Sequence, residues 1–166
     1  MNQPPREFDQ IDLKILDVLQ KDGRISNADL ADRVGLSASP CLRRMRALEE
    51  QGVISGYRAD LDPVQLGLTI LAFVEVRISR HGAGTAAIFR EAMMKERLVV
   101  GCYMVTGSYD FLLKVVARDL ESYKAFTLET LLGMPDVQDI RTSIVLDLIK
   151  NTSELPLPGR QDLPAF

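Results

Sequence analysis

Between Leu36 and Leu48 the chain carries Arg43, Arg44 and Arg46 and no acid. Arginine is useful there because its planar guanidinium can bond two acceptors on a guanine edge, or hold phosphate oxygens, and stays charged at any physiological pH. On a helical wheel with Leu42, Met45 and Leu48 turned inward, Ser39, Arg43, Arg46 and Glu50 fall roughly opposite and Arg44 projects to the flank. That outward face suits a DNA major groove. Arg43 and Arg46 are candidates for base edges and Arg44 for a phosphate, with Ser37, Ser39 and Pro40 completing a DNA-facing set around the start of the helix.

The net charge of -3 argues against indiscriminate nucleic-acid binding over the whole surface, but its distribution is uneven. Residues 1–58 hold nine Lys/Arg and nine Asp/Glu, whereas residues 59–166 hold eleven and fourteen. The acidic excess therefore lies entirely in the second part, and the basic run is where DNA binding is to be sought.

Three short helices are needed to present that run. Asp9 caps the first, with Ile11, Ile15 and Leu19 on one face and Gly23 as its stop; Ser26-Asn27-Ala28-Asp29 opens the second, with Leu30, Ala31 and Val34 inward and Gly35 as its stop. Ser37 caps the third, Pro40 is tolerated in its first turn, and Gly52 ends it. The tight glycine turn between the last two helices makes a helix-turn-helix. Val53 to Arg58 then predicts a β-like pair around Gly56, a small wing or linking strand.

Beyond Asp62-Pro63 the period changes. Ile70, Ala72, Val74, Val76 and Ile78 alternate as one face of a half-buried strand. Thr85 to Glu96 predicts a helix with Ile88, Phe89, Ala92 and Met93 inward, at least one of Met93 and Met94 filling core space. Val99–Val105 and Tyr109–Val116 predict two strands joined by a hairpin at Thr106-Gly107-Ser108. Asp119 caps a helix carrying Tyr123, Phe126 and Leu131, and Val137–Lys150 predicts a last strand with Ile140, Thr142, Ile144, Leu146 and Leu148 on one side. The order β-α-β-β-α-β is the ferredoxin-like arrangement, an antiparallel sheet backed by two helices, so the fold class is α+β. A second subunit is the natural cover for the other face of the sheet. The expected division is residues 1–62 as head and linker, 63–150 as the second domain, and 151–166, with Pro156, Pro158 and Pro164, as an irregular tail.

Other chemistry finds little support. Cys41 and Cys102 lack metal-ligand spacing and are expected as small buried hydrophobes; His81 has no second histidine to share a metal and is expected as a loop residue in solvent. No nucleophile, base and orienting group are grouped, and no glycine-rich phosphate loop is present, so neither an enzyme nor a cofactor is expected. With no secretory signal and no apolar run of membrane length, the expectation is a cytoplasmic, nucleoid-associated protein.

The stretches QKDGRISNADLADRVGLS, SPCLRRMRALEEQGVISGY, TGSYDFLLK and ETLLGMPDVQDIRTSIVLDLIK resemble the Lrp/AsnC family of transcriptional regulators, collinearly from Phe8 to Lys150. The resemblance implies a winged helix-turn-helix joined to an RAM domain that dimerises through its sheet and builds rings of dimers such as an octamer. It also implies an amino-acid effector held between dimers near the central hairpin turn, with Met104, Gly107, Ser108, Tyr109, Asp110 and Ile144 as the candidate residues. The family's Gly-Asp-x-Asp turn falls on Gly107-Ser108-Tyr109-Asp110, with Ser108 in place of the first acid. Gly107 would admit a ligand close to the backbone and Asp110 could accept from an α-ammonium group. An architectural DNA-wrapping protein without an effector is the alternative, and it would leave this turn idle.

Overall fold

The computed structural model describes residues 8–79 and 84–158. Within these the chain forms two compact units, residues 8–60 together with 150–158, and residues 61–149. His81 lies outside the described residues.

In the first unit α1 (Gln10–Lys21) starts at Asp9, whose carboxylate accepts from the N–H groups of Ile11 and Asp12. At α2 (Asn27–Val34), Ser26 accepts from the Asp29 N–H and donates its own proton to the Asp29 carboxylate at 2.6 Å. Gly35, at φ 76°, closes α2 in the left-handed region; Leu36 N–H returns to Ala31 and Gly35 N–H to Asp32, the paired bonds of a Schellman stop. That stop turns the chain directly into α3 (Ala38–Glu50). Ile15, Leu16, Leu30, Ala31, Val34, Cys41 and Leu48 make the core. Each of its large side chains contributes about 1.5–3 kcal/mol by leaving water.

Three expectations change here. Leu42 does not hold the core position in the first half of α3; Cys41, buried as expected, takes it, because Cys41 and Leu48 lie seven residues, two turns, apart on one line. Ser37 stands at the cap position without a side-chain capping bond. Val53–Arg58 forms no strand; it leaves α3 through Gly52 and runs on as bends and irregular backbone.

The second unit is one antiparallel sheet in the order β2-β3-β1-β4, built from β1 (Ile70–Ile78), β2 (Val99–Met104), β3 (Phe111–Ala117) and β4 (Val137–Ile144). Alternation in β1 and β3 turns Ala72, Val74, Val76, Phe111, Leu113 and Val115 into the core. There they meet Phe89 and Met93 of α4 (Thr85–Lys95) and Tyr123 of α5 (Leu120–Ala125), with the Phe89 and Phe111 rings 4.6 Å apart. The Tyr123 hydroxyl shares a hydrogen bond of 2.5 Å with Thr142, tying this helix layer to β4.

Four details of this unit differ from expectation. Ile88 is 61% exposed, whereas Met93 is buried as expected and Met94 is exposed. Cys102 is exposed, since it lies on an edge strand. The second helix continues past Ala125 as a π-helical turn, Phe126–Leu131, in which Leu132 N–H bonds Thr127 O. Gly133 follows it where an added Cβ would collide with the Glu129 carbonyl oxygen. Finally, β4 stops at Ile144, and Leu146 is 98% exposed.

The opposite sheet face is formed by the alternate residues Leu71, Phe73, Glu75, Arg77, Leu112, Lys114 and Val116, none of which is buried. No helix of this unit packs there, because the core faces the other way.

Candidate functional site

In α3 the exposed positions Ser39, Arg43, Arg46 and Glu50 recur every three or four residues and so share one face, with Ser37 exposed just ahead of them and Pro40 half-buried. Among the described residues neither Arg43 nor Arg46 takes part in an ion pair, so both guanidinium groups are available to an outside acceptor. The start of α3 is held by Asn27, whose side-chain amide donates to Ala38 O at 3.0 Å. The Schellman stop and this bond together fix the angle between α2 and α3, which decides how far the α3 face stands out from the head.

Arg44 departs from its expected role. Its Nη1 lies 2.5 Å from Asp9 Oδ2 and 2.9 Å from Asp12 Oδ1, so the guanidinium points back to α1 instead of outward to a phosphate. The second Asp9 oxygen still serves as helix cap. Bonds from the Asp12 N–H, then from Arg44, hold the Asp9 carboxyl below its usual range.

The candidate effector residues divide. Val105 N–H donates to Asp110 O, Asp110 N–H donates to Val76 O, and Ile78 N–H donates to Asp110 Oδ2 at 2.9 Å. Asp110 therefore seats the base of the hairpin against β1, with one carboxylate oxygen engaged by backbone. Gly107 has φ 121°, a conformation side-chain-bearing residues avoid, and Ser108 is exposed while Tyr109 and Asp110 are half-buried. Met104 pairs with Phe111, and Phe111 with Val76, at this same end of the sheet. Ile144 does not join them: it pairs with Ala72, four residues along β1 and on the opposite edge strand. At about 3.3 Å per residue and about 4.8 Å per strand this is roughly 20 Å away, too far for one small ligand within one chain.

Two contributing residues were missed from sequence. Asp12 carried a usable signal: it shares a helix face with Ile15 and Leu16, and a carboxylate on a buried stripe demands a partner. Tyr57 carried none. Its hydroxyl donates to Glu49 at 2.9 Å, its ring lies over Gly23, and burial first, then Glu49, pushes its phenol up to about 12.

Among the described residues no group of three or more His, Cys, Asp or Glu could hold a metal, and no helix is long and apolar enough to cross a membrane.

Residues 8–55 match a winged helix-turn-helix DNA-binding model and residues 71–155 match the Lrp/AsnC ligand-binding domain. The chain belongs to the Lrp/AsnC family. It is 42% identical over 158 residues to the leucine-responsive regulatory protein of Escherichia coli K12, covering 95% of this chain and 96% of that one. A transcriptional regulator from Neisseria meningitidis, solved as a complex with L-Met, superposes with a TM-score of 0.88 at 41% identity, over 92% of this chain and 98% of that one. An AsnC family regulator from Agrobacterium tumefaciens gives 0.85 at 38% identity, over 90% and 97%. This Lrp/AsnC chain is thus a transcriptional regulator with a DNA-binding head and a ligand-binding domain of mixed helix and strand.

Proposed function

We propose that the protein reads an operator through Ser37, Ser39, Pro40, Arg43 and Arg46, as a homodimer joined through its open sheet face, and that a small α-amino acid modulates it. The observation that carries the DNA-reading part is the pair of exposed guanidinium groups, in no ion pair among the described residues, about one helical turn apart on α3.

Dimerisation follows from the uncovered face of the second unit. Leu71, Phe73, Leu112 and Val116 stand there beside Glu75 and Lys114, an apolar surface with both charge signs that a two-fold copy can match. Two heads then engage two half-sites, and the second contact gains from effective concentration. A ring of dimers, such as an octamer, extends the same assembly. The effector is proposed from the turn at Gly107–Asp110 and from the Neisseria relative's L-Met complex. Because Ile144 lies far from that turn within one chain, a site using both draws them from different subunits. Occupancy then couples to assembly through the ligand's differential affinity for the two states. In this reading neither catalysis nor a cofactor has a part, and a DNA-bound regulator works in the cytoplasm, on the nucleoid.

The architectural alternative draws on two features, Ser108 in place of an acid and the backbone bond already held by Asp110. Calorimetry with each common amino acid, run beside sedimentation and gel shifts, decides between them. Binding that changes assembly or DNA affinity supports the effector, and no binding at millimolar concentration supports the architectural role.

A further inference from the structure

The three arginines of α3 are chemically alike and lie within four residues, yet the structure gives them different surroundings. Arg43 and Arg46 face outward. Arg44 lies about 100° round the helix from Arg43, with its side chain 32% exposed and its Nη1 between two carboxylates of the first turn of α1. Asp12 is one of only two buried polar or charged residues among those described, its side chain 11% exposed. An acid so placed needs a charged partner, and Arg44 supplies it. Asp9 is anchored independently, since its other oxygen holds the N–H groups of Ile11 and Asp12. The fork therefore joins α3 to a fixed point at the start of α1.

Two physical consequences follow. First, one guanidinium beside two carboxylates leaves that patch with a net negative charge, which repels a DNA phosphate. Second, apolar packing along the Cys41–Leu48 line resists separation of α3 from the head but is non-directional, so it resists rotation of the helix about its own axis weakly. A charged, two-pronged tie on the flank resists that rotation. A small roll of α3 would sweep the Arg43 and Arg46 guanidinium groups, at the ends of long side chains, across the groove floor.

We propose that Arg44 is a positioning residue, whose fork on Asp9 and Asp12 sets the roll of α3 and thereby which base edges Arg43 and Arg46 reach. The inference rests on α3 being the recognition helix. It separates two properties that a phosphate contact would change together: sequence discrimination, which depends on roll, and the electrostatic attraction common to all DNA, which does not.

The experiment uses the full chain, a duplex enriched by the protein from a randomised pool, and a random duplex of equal length. Affinities for both are measured against salt concentration, well below each variant's melting midpoint. Arg44→Ala is expected to lower discrimination about tenfold, comparable to losing one base-edge contact, with the salt slope on random DNA unchanged. Asp12→Asn is the sharper arm. It removes a negative charge, so electrostatics alone would strengthen DNA binding, whereas a lost tie lowers discrimination as Arg44→Ala does. The double variant should be no worse than either single one, and Arg44→Lys, which keeps the charge but whose shorter side chain reaches both acids less readily than Nη1, should fall between.

A salt slope lowered by about 1 in Arg44→Ala, with both duplexes weakened alike, would make Arg44 a phosphate contact and overturn the proposal. So would lower stability with unchanged discrimination, which leaves Arg44 a purely structural residue. Arg43→Ala and Arg46→Ala run alongside: if neither alters discrimination, the recognition-helix assignment fails, and it does so separately from the role of Arg44.

Discussion

Gln20 and Leu155 stand 135 residues apart and exchange two hydrogen bonds, Leu155 N–H donating to Gln20 Oε1 at 2.5 Å and Gln20 Nε2 donating to Leu155 O at 3.2 Å. A side-chain amide meets a peptide group here as a strand neighbour would. Two residues on, Leu157 packs against the apolar cluster of the head. The segment after β4 has no helix or strand, yet its residues 150–158 belong to the DNA-binding unit.

Removing residues 151–166 is accordingly expected to destabilise the head. Gln20→Ala should cost about 1 kcal/mol through its two bonds, and Leu157→Ala about 1 kcal/mol through lost burial. Each shifts the melting midpoint of a domain of this size by about 4–8 °C per kcal/mol. Calorimetric scans of the truncated and full chains check this, and an unchanged head transition would show that the segment contributes nothing. A head made of residues 1–62 alone should bind DNA poorly for two reasons, the missing second half-site and the missing tail.

On the reading face, Arg43→Ala and Arg46→Ala should each lose about 1–3 kcal/mol on the preferred duplex and flatten the preference over mutated sites. Gel-shift titrations provide the measurement. Wild-type affinity in both variants would remove these residues from the interface.

The elements were legible where local chemistry and tertiary need agree. The alternation of Ile70 to Ile78 and the caps at Asp9, Ser26 and Asp119 all recur in the structure. Failures came where one helical step or a distant partner decides. Leu42 and Cys41 differ by about 100° on the wheel; both were expected to be buried, but only Cys41 shares the Leu48 line. Ile88 looked buried by type, but Phe89 and Met93, four apart, already fill that stripe. The wheel sets Arg44 on the flank, apart from Arg43 and Arg46, but not its partners, which are Asp9 and Asp12, more than thirty residues earlier. Alternation carried β4 as far as Leu148 because periodicity cannot report where the neighbouring strand ends: Val145 N–H makes the last bond, to Leu71 O, near the start of β1.

Acid titration offers a separate check on the first turn of α1. The Asp9 carboxyl is depressed by the Asp12 N–H, then by the Arg44 guanidinium. A folded-state value below the unfolded one adds stability that is fully present above the ordinary carboxylate range and is lost as the pH falls through the depressed folded-state value. Asp9→Asn keeps a capping oxygen but does not titrate. Urea midpoints should therefore separate wild type from Asp9→Asn at neutral pH and converge in acid, below the ordinary carboxylate range. Parallel curves throughout would show that Asp9 adds no charge-dependent stability.

At the hairpin turn, the bond from Ile78 N–H to Asp110 Oδ2 determines which substitution is informative. Asp110→Ala removes both the negative charge and the acceptor that seats the turn on β1, so it should lose about 1–3 kcal/mol of stability along with any ligand response. Asp110→Asn retains an oxygen for the Ile78 N–H and removes only the charge. If Asp110 receives the α-ammonium of an amino acid, Asp110→Asn should melt as wild type does while binding that amino acid about tenfold to a hundredfold more weakly, the usual worth of one charge-assisted hydrogen bond. Basal DNA affinity should be retained, because the head is a separate unit. Calorimetry of both variants with each common amino acid, beside melting and gel shifts, makes the comparison. Equal binding by Asp110→Asn and wild type would leave the acid with its backbone role alone and move the effector, if one binds, away from this turn.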